Sequence, residues 1–336
     1  LSQSAQFYQF YLQNTEHGKQ AKTYLQSRNL TEDILEQFEI GLSPKGNDLL
    51  YQALLKTNVV PLDMIELGLV KHDREYYDVF RNRIIFPICD LQGNKVGFSG
   101  RIYDGSQSSH KYVNSPETII FKKSQILYNY HQAANEIKKL DMVYIFEGFM
   151  DVIAAYRADV FNAIATMGTA LTQEHIQAIK RLTNRVVLCF DGDNAGIEAS
   201  KRASAMLLQA GLDVKIVLFP DDLDPDDYIK KYSTKALAKY LAEEQISSLE
   251  FLYRIAHQKL DKTDPQALEQ FKKTIFKALY FYRSNVLNEI YIKRLSEDLG
   301  VSAESLKEDF SQTKQEAPEI EAPPIQVTTY VPSNPE

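Results

Sequence analysis

Acidic side chains recur just beyond short apolar runs. Glu147 and Asp151 follow the run from Met142 to Phe146, and Asp191 and Asp193 follow the run from Arg185 to Phe190. Asp191 and Asp193 flank Gly192, so in extended geometry both side chains leave the chain on the same side. A further apolar run, Val214 to Phe219, again leads into acids, Asp224 and Asp226 among them. Clustered carboxylates repel one another unless protons or cations compensate, and hard oxygen donors suit Mg²⁺ or Mn²⁺. Taken alone, "DGD" is also an ordinary helix cap ahead of a helix starting near Asn194. The repetition of strand followed by acid favours a metal site.

The elements that must position these acids follow from periodicity. Continuously apolar runs bounded by turn residues read as buried parallel strands. Between the first two lie a helical pattern from Val152 to Arg157, a strand-like run from Val160 to Ala165 and a helical pattern from Thr172 to Leu182. That alternation is βαβαβ. In open α/β sheets ligands collect at the carboxyl ends of the strands, where Glu147, Asp191 and Asp193 would converge.

The chain of 336 residues is 44% hydrophobic, enough for two or three packed domains. It contains neither an 18-residue apolar run nor a basic, apolar leader, so no membrane association and a cytoplasmic location are expected. Cys89 and Cys189 are too few for a disulfide framework or a cysteine-based zinc site, and zinc is not expected. His17, His72, His110, His131, His175 and His257 lack metal-ligand spacing and receive no role. A net charge of −7 argues against coating nucleic acid by bulk charge. Its distribution is uneven: residues 81–139 carry nine Lys or Arg against four Asp or Glu, whereas residues 143–230 carry thirteen acids against eight bases. A basic face beside an acidic site is expected.

Residues 1–40 read as amphipathic helices, with Thr31 as an N-cap and Phe7, Tyr8, Phe10 and Tyr11 as core, and the region reads as scaffold. "RIIFPICD" and "KVGFSGRIY" read as a hairpin turning at Gly93 and Asn94. From about Ser233 to Asp309, apolar residues at three-and-four spacing, such as Leu249, Leu252, Ile255 and Ala256, indicate a helical region. The Pro- and Glu-rich end has the composition of a linker. With Leu1 in place of an initiating Met, the sequence reads as an internal part of a longer protein.

Glu147 in "EGFMDV", "DGDNAG" (Asp191 to Gly196) and "LDPDD" (Leu223 to Asp227) resemble the TOPRIM domain. That metal-binding α/β module is shared by bacterial primases, topoisomerases and some nucleases. The displaced second acidic pair is most similar to that of the DnaG-type replicative primases. "RNRIIFP", "GFSGR", "KYVNSPET" and "FKKSQILYN" precede the acids in the order found in that family. Ser99 stands where the family pattern has glycine, and Lys122 where it has histidine.

The resemblance implies an α/β fold: a mixed N-terminal α/β subdomain (1–135), a central TOPRIM parallel-sheet subdomain of Rossmann-like type (136–232), a C-terminal helical subdomain (233–312) and a flexible linker (313–336). It implies that Arg81, Arg83, Arg101, Lys111, Asn114 and Lys123 contact template, primer or nucleoside triphosphate. Asp191, Asp193, Asp224 and Asp226 would hold two or more Mg²⁺ or Mn²⁺ ions. Glu147 would complete that set or act as acid or base.

The expected activity is DNA-templated synthesis of RNA primers from ribonucleoside triphosphates on single-stranded DNA. Replicative helicase and single-strand-binding protein would be met through regions outside this sequence, and ppGpp and pppGpp are expected inhibitors. A TOPRIM nuclease or topoisomerase and a non-catalytic nucleotide- or DNA-binding module are the other two readings.

Overall fold

The structure is a computed structural model that describes residues 1–104, 111–220 and 223–316. His110 and the linker from residue 317 onward lie outside the described residues. The chain divides into two compact units, Leu1–Ser248 and Leu249 onward.

The first unit opens with α1 (Ser2–Asn14), α2 (Glu16–Ser27) and α3 (Glu32–Gln37). Thr15 caps α2 by accepting from Gly18 N at 3.0 Å; Thr31 occupies the N-cap position of α3 without a side-chain cap bond. The buried residues of α1 are Ser4, Ala5, Tyr8 and Leu12, a helical stripe. Phe10, expected in the core, lies off that stripe and is 64% exposed.

Next come β1 (Gly41–Leu42), α4 (Leu49–Leu55), α5 (Pro61–Glu66), β2 (Val70–His72) and β3 (Tyr76–Asp78). Buried Asp78 accepts from Leu50 N and Tyr51 N at 2.8 and 3.0 Å and so closes the start of α4. Strands β4 (Ile84–Cys89), β5 (Lys95–Arg101) and β6 (Tyr112–Asn114) complete an antiparallel sheet of order β1-β4-β5-β6. The expected hairpin joins β4 to β5: Asp90 Oδ1 accepts from Gln92 N and Asn94 N, and Gly93 takes φ +93°.

After α6 (Tyr130–Leu140), the chain alternates β7 (Val143–Phe146), α7 (Phe149–Arg157), β8 (Ala163–Ala165), α8 (Gln173–Lys180), β9 (Arg185–Leu188), α9 (Asn194–Gln209), β10 (Asp213–Val217), α10 (Pro225–Lys231), α11 (Thr234–Glu243) and β11 (Gln245–Ser247). The second sheet has order β11-β10-β9-β7-β8, parallel except for the edge strand β11. The run from Val160 was expected to be extended throughout. Instead Asp159 turns at φ +60° and Val160 N donates to Ala155 O, ending α7, so the strand begins only at Ala163.

One core cluster runs from Leu12 through both sheets to Leu241, with no break at residue 135. Phe149, the first residue of α7, joins the sheets by packing on Phe86 of β4 (4.6 Å between ring centroids), Tyr112 of β6 (5.5 Å) and Tyr128 (5.6 Å). Its truncation to Ala would cost about 3–5 kcal/mol.

The second unit comprises most of α12 (Ser248–Gln258) with α13 (Pro265–Tyr282), α14 (Asn285–Leu299) and α15 (Ala303–Glu316) around a separate core that includes Tyr253, Phe271, Ile275 and Leu295. Here α15 runs through the expected linker start at 313. Among the described residues no helix is long and apolar enough to cross a membrane.

Candidate active site

The parallel strands deliver their acids to one edge. Glu147 lies directly after β7 and Asp191 three residues after β9, and Asp191 N donates to Glu147 Oε1 at 3.2 Å. Gly196 makes this approach possible: a Cβ there would stand 2.2 Å from Asp191 O, so only glycine lets the first turn of α9 lie on that backbone. Asp193 is the N-cap of α9 and accepts from Gly196 N at 2.8 Å; Asp224 is the N-cap of α10 and accepts from Asp227 N at 2.7 Å. The capping reading and the acidic-cluster reading therefore coexist, because a capping carboxylate keeps a second oxygen.

Asp151, one turn into α7, accepts from Gly148 N at 3.1 Å. Burial, then Asp191, Asp224 and Glu147, push its carboxyl well above the usual range. Burial and the charge of Asp191 also raise Glu147, and burial and the charge of Asp224 raise Asp191. Glu147, Asp151, Asp191 and Asp224 thus form one electrostatic basin.

Asp226, expected among the metal ligands, is placed differently. It is buried and bonds Arg157 Nη1 at 2.8 Å, Arg28 Nη2 at 2.7 Å and Lys230 Nζ at 3.0 Å. These cations hold its carboxyl below the usual range despite burial, which opposes them. The reason is helical geometry: α10 starts at Pro225, so Asp226 is turned about 200° around the axis from Asp224. Its carboxylate ties α10 to α7 and to the end of α2.

The expected basic residues separate into two kinds. Arg101 is 5% exposed, with its guanidinium over Tyr24 (5.7 Å) and Tyr112 (5.4 Å), and Nε has no hydrogen-bond partner among the described residues. Lys111 is exposed at 5.9 Å from the Tyr112 ring, and Asn114 holds a buried Oδ1 without a hydrogen-bond partner among the described residues. Arg83 instead donates to the backbone carbonyls of Gly100 and Lys111 at 3.1 and 3.4 Å. Arg81 donates to Asn47 Oδ1 at 3.2 Å and lies over Tyr77. Lys123 opens a short 3₁₀ turn, its backbone N donating to Glu117 Oε1 at 3.1 Å.

Tyr112 is the junction. It touches Phe149 and Arg101, and Arg101, Arg28 and Asp151 all act on its hydroxyl, although burial dominates and pushes it up to about 12. The basic strand face and the carboxylate basin are therefore neighbours.

Residues 7–134 match the family described as DNA primase catalytic core, N-terminal domain, and residues 144–229 match a Toprim-like family. The chain is similar to a DNA primase domain from Pseudomonas aeruginosa, 32% identical with a TM-score of 0.75, over 94% of this chain and 98% of that one. The chain belongs to the DnaG-type DNA primase family. A DnaG primase catalytic domain bound to ssDNA is 29% identical with a TM-score of 0.74, over 90% and 95% of the two chains. The DNA primase of Enterococcus faecalis is 36% identical across 94% of this chain, and the alignment spans 51% of that relative. The chain thus spans about half the length of the curated primases it matches.

Membership of a primase family with a Toprim-like segment supports use of a divalent metal, and the donor set fits one. All donors in the basin are carboxylate oxygens whose mutual repulsion a cation would relieve. Among the described residues no three carboxylate, imidazole or thiol side chains stand together so that they could hold a metal ion by themselves. An open basin suits an ion that retains several waters and takes one or two carboxylates.

Three residues in contact with this candidate site, Asp151, Tyr24 and Arg28, carried no assigned role in the sequence. Asp151 was visible in "EGFMDV", four residues after Glu147. Tyr24 and Arg28, in a region read as scaffold, carry no local signal, because they reach Arg101 and Asp226 only through long-range packing.

Proposed function

We propose that this chain is the RNA-polymerising core of a bacterial replicative primase, joining ribonucleoside triphosphates on a single-stranded DNA template. The observation that carries the reading is the contact of Tyr112 with Phe149, which sets an arginine-bearing strand face against a basin of carboxylates. Nucleotidyl transfer needs both signs of charge at one place: cations for the triphosphate and template backbone, and carboxylates for what must be held at the reacting oxygens.

In this account the 3′-oxygen of one nucleotide bonds to the α-phosphorus of the next, and the bond from that phosphorus to the bridging oxygen of pyrophosphate breaks. Bound Mg²⁺ or Mn²⁺, in two or more copies, would neutralise developing charge and lower the hydroxyl's pKa. Asp191, Asp193 and Asp224, with Asp151, would hold these ions; Glu147 would share in this or accept the hydroxyl proton, for which a raised pKa suits it. Arg101, Lys111, Asn114 and Lys123 would hold phosphates, lysine as a point charge and arginine through its planar fork. Arg28, Arg81 and Arg83 stand further from this role, being engaged with Asp226, with Asn47 and with backbone carbonyls. Asp226 would set the position of α10 and hence of Asp224.

Helicase, single-strand-binding protein and guanosine alarmones belong to the same reading as partners and inhibitors of the whole protein. The test is incorporation of labelled ribonucleotides on a single-stranded template with Mg²⁺ or Mn²⁺. RNA products support the reading; nicked DNA without RNA would support a nuclease instead.

A further inference from the structure

The segment between β6 and the 3₁₀ turn at Lys123–Gln125 is braced along its length. Pro116 packs so closely on Gly68 that a Cβ there would approach Pro116 Cγ to 2.6 Å, and Gly68 also takes φ +66°. Thr118 Oγ1 accepts from Ile120 N and Phe121 N at 3.3 and 3.1 Å, while Thr118 and Phe121 close a backbone bond at 3.0 Å. Phe121 is buried in the main core, Glu117 accepts from Lys123 N, and Ser124 O accepts from Thr172 Oγ1 at 2.7 Å. At the tip of this tight turn Ile119 is 84% exposed. Lys122 is exposed, and among the described residues neither it nor Lys123 forms an ion pair.

A large aliphatic side chain held in water on a pre-ordered turn, with free cations three and four residues on, matches a ligand that alternates anionic and apolar surfaces. A single nucleic-acid strand is such a ligand: its phosphates take lysines and its sugar and base faces take apolar side chains. We propose that Ile119 contacts the single-stranded template, packing on a sugar or base face while Lys122 binds an adjacent phosphate. This rests on the primase reading above and adds a contact that is apolar and insensitive to salt. Because the turn is already ordered, little conformational freedom is lost on binding.

The test is binding of labelled oligothymidylate to the 336-residue chain across a salt series, with thermal melts to verify folding. Ile119→Ser should weaken binding roughly fivefold with an unchanged salt slope. Lys122→Gln should weaken binding and lower the slope by about 0.7. Val286→Ser, at an exposed apolar position of α14, should bind as the unmodified chain does. Unchanged affinity for Ile119→Ser would overturn the proposal, as would sedimentation showing an unmodified dimer and an Ile119→Ser monomer, which would assign the tip to a second copy. An unmodified chain that neither binds the oligonucleotide nor makes RNA would overturn the primase reading itself; one that makes RNA while Ile119→Ser binds normally would remove only this contact.

Discussion

Arg28 Nη2 donates to Asp226 Oδ2 at 2.7 Å, joining residues 198 apart in sequence. Asp226 also receives Arg157, whose side chain is 6% exposed, so its carboxylate is the counter-charge that permits a buried guanidinium. The position of α10, and with it Asp224 at the cap, follows from this cluster.

Replacing Asp226 by Ala should therefore act on the fold. Stranding Arg157 predicts a loss of about 3–5 kcal/mol in urea unfolding. Asp224→Ala should lose only about 1 kcal/mol, the cost of a helix cap. Its deficit should appear in metal-dependent activity. Equal destabilisation by the two substitutions would contradict the division of roles.

Metal binding should strengthen with pH. Glu147, Asp151 and Asp191 have folded pKa values raised above the ordinary carboxylate range, first by burial. The native state therefore holds protons that the unfolded state has released. Without metal, these groups make stability fall as pH rises from the ordinary range through their folded values. Divalent ions displace those protons and offset the loss, so Mn²⁺ should raise the melting temperature more at pH 8 than at pH 5. At one hundred times Kd the stabilisation is about 2.7 kcal/mol. A larger shift at pH 5 would contradict the assignment, and Asp191→Asn should shrink the shift at pH 8.

Much of the parallel sheet was legible because β7, β8 and the buried part of β9 are apolar runs that lead into an acid or a turn, whereas β10 carries exposed Lys215. The helix starts at Asn194 and after Thr172 were legible because Asp193 and Thr172 cap them locally. What Arg83 and Asp226 bond to in the fold was not legible from their motifs, for one physical reason. A charged residue within a motif discloses its type but not whether the fold has already spent its charge, here on backbone carbonyls for Arg83 and on Arg28, Arg157 and Lys230 for Asp226. Tyr24 and Arg28 were invisible because their partners lie far away in sequence.

Arg101 offers a kinetic separation. Lysine keeps the charge but lacks the planar guanidinium that stands 5.7 and 5.4 Å from the Tyr24 and Tyr112 rings. Arg101→Lys should raise KM for ribonucleoside triphosphate roughly tenfold, about 1.4 kcal/mol, with a smaller change in kcat. Unchanged KM together with lowered stability would make Arg101 a packing residue.

The most direct test of the central claim is template-directed RNA synthesis by the 336-residue chain on single-stranded DNA, with ribonucleotides and Mg²⁺ or Mn²⁺, compared with Glu147→Gln and Asp191→Asn. The account predicts metal-dependent RNA products from the unmodified chain and their loss, by a factor of at least about 100, in both folded variants. RNA synthesis that persists undiminished in both would contradict the placement of the active site at this basin.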